Sequence, residues 1–171
     1  MDSPNSVPVV SKAGMMGKSL PPSKQSVADI LKRCKTPLIA DWLARTKRTS
    51  ELNQLELSDK QRTGHLPKLV DDLVARLKKV RMPNQDSDAI PSAAAVAHGE
   101  LRGKQGYSAA MLIHESRILQ VTLFGTLHEN LTALDFNLLL PDVMIIADEV
   151  DAQLTQTMDA FSKAKPASAA A

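Results

Sequence analysis

The chain has 171 residues, and its 43% of hydrophobic residues is enough to bury a core. Aromatic residues make up only 3%, which favours helices built from Leu, Ile, Val, Met and Ala over a β-sandwich or barrel. A single cysteine, Cys34, excludes an internal disulfide and a multi-cysteine zinc site. No apolar run approaches the roughly 20 residues of a membrane span, and residues 1–24 make a poor signal peptide. We therefore expect a cytoplasmic all-α protein.

The charges are unevenly distributed although the net charge is only +2. Residues 1–85 hold sixteen Lys and Arg against eight Asp and Glu, whereas residues 86–171 hold five against eleven. A basic surface can bind nucleic acid, but so few aromatic residues offer little for base stacking. We expect instead that basic and acidic helices pair within one bundle, with neither nucleic acid nor a membrane as partner.

The chain divides into one folded domain between two tails. Residues 1–24 and 164–171 are small, polar and proline-rich, which predicts disordered tails around a domain at 25–163. Within the domain, apolar residues recur at three and four positions and predict five helical segments. These segments are 26–48, broken before Pro37, then 58–80, 92–104, 108–132 and 141–163.

Polar residues and prolines set the expected helix ends. We expect N-caps at the hydroxyl residues that precede the apolar stripes: Ser26, Thr36, Ser58, Ser92 and Ser108. Pro67 predicts a kink or a restart within the second segment. Pro141 predicts the first turn of the last helix. Four main helices joined by short loops predict an antiparallel helical bundle, preceded by short N-terminal helices.

A stripe of small residues lies in the third segment. Ala95, Gly99 and Gly103 recur every four residues and therefore share one helix face. A glycine inside a helix costs about 1 kcal/mol relative to alanine. We expect the close approach of another helix to offset that cost.

The candidate site lies in the same region. His98 and Arg102 are four residues apart, so they share a helix face. If residues 104–108 form a turn between antiparallel helices, Glu115 lies between these two side chains. The cluster is either a sensing or proton-linked site or a buried polar contact that fixes helix register. We expect Glu115 to stay ionised and His98 to be drawn toward its protonated form.

No motif for enzyme chemistry or metal binding is present. The sequence has no HxxxH or HExxH metal spacing, no phosphate loop and no nucleophile elbow. The other histidines lack ligand spacing: His65, His114 and His128. Cys34 lies on an apolar stripe, which indicates a core residue. The acidic residues of the last helix are most simply a solvated face: Asp148, Glu149 and Asp151. We expect no catalysis, no metal and no cofactor.

The central motif resembles the signature of RsbRD-type N-terminal domains. It runs His98-x-x-x-Arg102-x-x-Gln105-Gly106-Tyr107-Ser108 and continues Leu112-x-x-Glu115-x-Arg117-x-Leu119. Weaker matches are Trp42-Leu43-x-x-Thr46 and His65-Leu66-Pro67-x-Leu69. The resemblance covers about residues 27–160.

RsbRD-type domains are the input domains of RsbR-like co-antagonists of the bacterial stressosome and of some sensor histidine kinases. The resemblance implies a non-catalytic, all-helical sensory domain that regulates a kinase or an anti-anti-sigma output by protein contact. Ser116 and Gln120 depart from the pattern, where the family usually has an aromatic residue and an arginine. No output domain follows in this chain, so we expect either a stand-alone domain acting in trans or an excised domain.

Two other classes of protein are alternatives. A histidine phosphotransfer domain is also a four-helix bundle, with His98 as the acceptor, but its basic residue and glycine follow the histidine one position earlier than here. A haem-binding, globin-like sensor needs a proximal histidine in an apolar pocket. A homodimer is a further alternative to a signalling partner, because the apolar stripe of the last helix runs to Phe161 and predicts a partly exposed final turn.

Overall fold

The computed structural model describes residues 24–79 and 91–164. These residues form an all-α bundle without any strand, and one isolated parallel bridge joins the backbones of Gln25 and Leu134. The helices are α1 Val27–Arg33, α2 Lys35–Arg48, α3 Ser50–Asn53, α4 Asp59–Thr63, α5 Leu66–Lys79, α6 Ala93–Lys104, α7 Ala109–Glu129 and α8 Phe136–Ala164. A 3-10 turn at Leu131–Ala133 precedes α8. The all-α prediction is confirmed, whereas most of both predicted tails and residues 80–90 between the second and third predicted segments lie outside the described residues.

Serine N-caps begin four of the helices as predicted. Ser26 accepts a hydrogen bond in the first turn of α1. Ser58 forms a capping box with Gln61 at the start of α4, and Ser92 and Ser108 accept hydrogen bonds in the first turns of α6 and α7. The expected cap at Thr36 is wrong. Helix α2 begins two residues earlier, at Lys35, because Cys34 both closes α1 and accepts the first hydrogen bond of α2 through its backbone.

The predicted second segment is two helices. Helix α4 ends at Thr63 and α5 begins at Leu66, so the restart expected near Pro67 is confirmed. Pro67 occupies the first turn of α5, where its missing N–H has no partner within the helix. The short helix α3 was not predicted.

The last helix begins earlier than predicted. It starts at Phe136, and Pro141 lies inside it. The carboxylate of Asp135 accepts a hydrogen bond from the Asn137 N–H at 3.0 Å and so caps the first turn. The proline removes one backbone hydrogen bond, and this cap together with the turns that follow keeps the helix continuous across it.

The small-residue stripe of α6 lies against α8. A side chain on Gly99 would overlap the backbone carbonyl of Thr157, and a Cβ on Gly103 would lie 3.1 Å from the Cβ of Ala164. The Thr157 hydroxyl donates to the Ala95 carbonyl at 3.1 Å. The predicted close approach is confirmed, and its partner is α8 rather than α7, the next helix in sequence.

The C-terminal end of α8 is covered. Phe161 is only 4% exposed and belongs to the main hydrophobic core, so the prediction of a partly exposed final turn, on which the homodimer rested, is wrong. Exposed apolar side chains lie at the opposite end of α8 instead, at Phe136 and Leu140. Within the described residues, no helix is both long enough and apolar enough to cross a membrane.

Candidate functional site

The site is built from side chains of several helices that meet in the interior. Helix α6 supplies His98 and Arg102 one turn apart, and α7 supplies Glu115. Tyr107 comes from the turn between these helices, and His65 comes from the residues just before α5. We call these five residues the polar cluster. The structure therefore brings His98, Arg102 and Glu115 into contact and adds two further residues to them.

Arg102 and Glu115 form a buried, two-pronged ion pair. The Nε atom of Arg102 donates to Oε2 of Glu115 at 3.1 Å, and Nη2 donates to Oε1 at 2.9 Å. Both side chains are buried. A planar guanidinium suits this arrangement because its N–H groups match the two carboxylate oxygens.

The remaining donors of Arg102 also have partners. Nη1 donates to the Gln61 carbonyl at 3.2 Å and to the Gln105 side chain at 2.6 Å. Nη2 also donates to the Arg62 carbonyl at 2.9 Å. All five N–H donors of the guanidinium are therefore used. Through them Arg102 joins the end of α4, the end of α6 and the interior of α7.

The turn after α6 places Tyr107 in the cluster. Gly106 has a φ of 79°, which glycine adopts without the strain that a side chain would introduce. The Tyr107 hydroxyl donates to Oε1 of Glu115 at 2.7 Å, and the Arg102 guanidinium lies 4.5 Å from the centre of the tyrosine ring. Helix α2 is joined as well, because the indole N–H of Trp42 donates to the Glu115 backbone carbonyl at 3.3 Å.

These contacts keep Glu115 ionised, as predicted. Burial alone would raise the pKa of its carboxyl group, but the neighbouring His98, the Arg102 charge and the Tyr107 hydroxyl together lower it. Burial and the adjacent carboxylate raise the pKa of Tyr107, so this hydroxyl remains a donor.

The predicted protonation of His98 is wrong. Its Nε2 lies 3.4 Å from Oε2 of Glu115, yet burial and the Arg102 charge lower the pKa of His98 more than the carboxylate raises it. Arg102 already neutralises Glu115, so a charged imidazole would leave an uncompensated positive charge in the interior. His98 is therefore a neutral, buried side chain.

His65 is a member of the cluster that sequence reasoning missed. Its ring stacks on that of His98, with centroids 3.7 Å apart and planes 14° from parallel, and its edge meets the Trp42 ring. Burial, His98 and Arg102 all lower the pKa of His65. The only sequence signal for including His65 in the site was its place in the weak His65-Leu66-Pro67 match. No helical spacing relates His65 to His98, which is 33 positions further along the chain.

A small cavity adjoins the two imidazoles. Its volume is about 30 Å³, enough for about two water molecules. Its walls combine apolar and polar side chains, including Trp42, Leu112, Ser116, Gln153 and Thr157. The Nδ1 atoms of His65 and His98 are buried and have no hydrogen-bond partner within the described part of the chain. Water in the cavity would satisfy such atoms.

Three residues of the cluster have the composition of a metal site. The ligand atoms of His65, His98 and Glu115 lie within 4.8 Å of one another. Their arrangement does not suit coordination, however, because the lone pairs of stacked imidazoles lie in nearly parallel planes and do not converge on one point. Both oxygens of Glu115 already accept hydrogen bonds from Arg102. These observations favour direct pairing over metal ligation.

A second buried polar group lies beside the cavity on α8. Gln153 donates to the Glu149 carboxylate at 2.9 Å and to the Leu69 carbonyl of α5 at 3.2 Å. Glu149 is only 5% exposed, and burial raises its pKa. Placing Glu149 on a solvated face was therefore wrong, whereas Asp148 and Asp151 are exposed.

The other candidate residues lie away from the cluster. Arg117 is exposed on α7, and His128 is exposed near the end of that helix. His114 is half-buried, with Nδ1 3.6 Å from the carboxylate of Glu51. Cys34 is half-buried and packs against the core, which agrees with its predicted structural place.

Comparison with known proteins identifies no relative of this chain. No family model, no curated protein and no solved structure matches it significantly.

Proposed function

We propose that this protein is a non-catalytic regulatory domain that acts by contact with a signalling protein. The observation that carries the proposal is the state of the polar cluster. Its charged groups, Arg102 and Glu115, are buried and paired with each other, and both imidazoles are held neutral. Such a cluster connects helices, whereas an enzyme needs reactive groups that reach a substrate.

The cluster is a suitable element for a signal to change. It joins α2, α4, α6 and α7 through Trp42, Arg102 and Glu115, so its rearrangement would shift several helices relative to one another. A buried polar network has few alternative arrangements in which every partner is satisfied. A ligand or partner that disturbs it would therefore favour a distinct second state of the domain.

The resemblance to RsbRD-type domains supports the same function. Its motif residues His98, Arg102, Tyr107 and Glu115 belong to the polar cluster, and the motif residue Gln105 accepts a hydrogen bond from Arg102. Arg117, in contrast, is exposed and available to a partner. We infer a kinase or an anti-anti-sigma type of output protein as that partner, in the cytoplasm, in a bacterial stress-response or two-component pathway.

The geometry weighs against both alternative functions. His98 is 6% exposed, so a phosphoryl donor could not reach its ring without opening the bundle. The cavity beside the histidines is about 30 Å³, and haem would require the helices around it to separate.

The test is binding of the purified chain to output proteins of the organism that encodes it. Isothermal titration against its histidine kinases and anti-anti-sigma proteins should find one that binds with micromolar or better affinity. The variant Arg117→Ala should weaken that binding about tenfold, since loss of one interfacial charge contact costs on the order of 1 kcal/mol or more. Glu129→Ala, on an exposed position of the same helix, is the matched control.

Three results would contradict the proposed function. They are the absence of binding to every such output protein, acid-labile phosphorylation of His98 by a phosphodonor, and a haem absorption band in the purified protein.

A further inference from the structure

Helix α8 carries an uncovered apolar face near its start. Phe136, Leu140 and Met144 are spaced four residues apart and so share one side of the helix. They are 60%, 70% and 48% exposed. We call these three residues the α8 stripe. It exists because the Asp135 cap extends the helix upstream of Pro141 and so adds Phe136 and Leu140 to the face of Met144.

The size of the α8 stripe limits what can cover it. Three partly exposed side chains offer a few hundred Å² of apolar surface, whereas a stable protein interface buries about 800 Å² on each partner. The stripe is therefore too small to hold a second copy of the chain by itself. It matches the side chains of a short segment.

The N-terminal segment of the chain is attached beside the stripe. The Gln25 N–H donates to the Ala133 carbonyl at 2.8 Å, and the Asp135 N–H donates to the Gln25 carbonyl at 3.0 Å. The Lys24 ammonium donates to the Thr132 carbonyl at 2.8 Å. Residues 1–23 are thus tethered within a few residues of Phe136.

The composition of residues 12–20 complements that face. The sequence KAGMMGKSL contains two methionines and a leucine, and its charged residues are both lysines. The exposed face of α8 beyond Met144 carries Asp148 and Asp151. Methionine adapts to an irregular apolar surface because its side chain is unbranched and flexible.

We propose that residues 12–20 of the same chain dock on the α8 stripe. Met15, Met16 and Leu20 cover the apolar side chains, and Lys12 and Lys18 face the acidic residues beyond them. The stripe is about 12 Å long, whereas the twelve residues 12–23 extend to about 40 Å, so the segment reaches all of it. The tether gives an effective concentration near the millimolar range, at which a small apolar contact is sufficient for docking.

The test measures how accessible the α8 stripe is in the full chain. In a Cys34→Ser background, Met144→Cys introduces one thiol at the stripe, and its alkylation by N-ethylmaleimide is timed. The comparison protein also carries Met15→Ser, Met16→Ser and Leu20→Ser. These changes leave the described bundle untouched and remove the apolar side chains of the segment.

We expect alkylation at position 144 to be about fivefold slower with the native segment, which corresponds to docking in about four molecules out of five. The rate should not depend on protein concentration, because the contact is intramolecular. Thr155→Cys, exposed further along the same helix, should react equally fast in both proteins. Equal rates at position 144 would overturn the proposal. Protection that rises with protein concentration would overturn it as well, because a second copy would then cover the stripe.

Discussion

At the scale of single residues, Glu115 is the acceptor that holds the polar cluster together. Its side chain accepts from Arg102 and Tyr107 and lies beside His98. Glu115→Ala leaves the buried Arg102 charge without its partner, and we expect a loss of roughly 3 kcal/mol or more in the free energy of unfolding. Glu115→Gln keeps the shape and should cost less. Denaturant unfolding measures both values.

The exposed residue Glu129 on the same helix provides the control. Glu129→Ala should change the free energy of unfolding by no more than about 0.5 kcal/mol. If Glu115→Ala proved as mild as this control, the paired arrangement of Arg102 and Glu115 would be wrong.

The two stacked histidines predict that the protein loses stability in acid. The pKa values of His65 and His98 are lowered in the folded state, so below about pH 6.5 the unfolded chain binds protons that the folded protein does not. The stability that the neutral imidazoles contribute is therefore complete above pH 6.5. It is lost as the pH falls from 6.5 toward the pKa values that the two histidines have in the folded protein.

The variant His65→Phe tests this pH dependence. It keeps a ring against His98 but removes one titrating group, so the fall in unfolding free energy between pH 7 and pH 5 should become shallower. Urea unfolding at pH 8, 7, 6 and 5 measures the slope for both proteins. The assigned neutral state would be contradicted if the unfolding free energy of the variant fell as steeply with pH as that of the native protein. It would also be contradicted if the unfolding free energy of the native protein rose toward acid pH.

The residues of the cluster were only partly predictable from the sequence. The i, i+4 spacing of His98 and Arg102 and the following turn were enough to place Glu115 near both. The protonation of His98 was not predictable, because it depends on how completely Arg102 already neutralises the carboxylate. His65 was missed because tertiary packing alone brings it onto His98.

At the scale of helices, the contact between α6 and α8 requires glycine at one position. Gly99→Ala would force a Cβ onto the Thr157 carbonyl, and we expect it to cost about 1–3 kcal/mol from overpacking. Gly103→Ala is the matched comparison, since the nearest atom to its Cβ would be the Ala164 Cβ at 3.1 Å, with backbone atoms no closer than 3.6 Å. The better helix propensity of alanine offsets much of that contact. Equal thermal destabilisation by both variants would argue against the close approach at Gly99.

The start of α8 depends on the Asp135 cap rather than on Pro141. Asp135→Ala should cost about 1 kcal/mol, as loss of an N-cap usually does, and it should increase amide exchange in the first turns of α8. Asp135→Asn retains a capping oxygen and should be nearly neutral. Proline is a strong signal for a helix start, but here the helix begins at the Asp135 side-chain cap, six residues before Pro141.

At the scale of the whole molecule, composition and periodicity predicted the class of fold but not which helices would be neighbours. The small-residue stripe at Gly99 and Gly103 called for a close partner, and only the structure identifies that partner as α8. The burial of Phe161 likewise depends on this packing. Local patterns specify helix ends and faces, whereas neighbouring helices are set by how all the faces pack together.

The most direct test of the cluster is an NMR pH titration of the histidine imidazoles in the intact chain. We predict that in the folded protein the imidazoles of both His65 and His98 titrate below pH 6.5, because burial and the Arg102 charge lower the pKa of each ring. If both rings instead became protonated near or above pH 6.5 in the folded protein, the neutral histidine pair would be disproved, together with the regulatory element built on it.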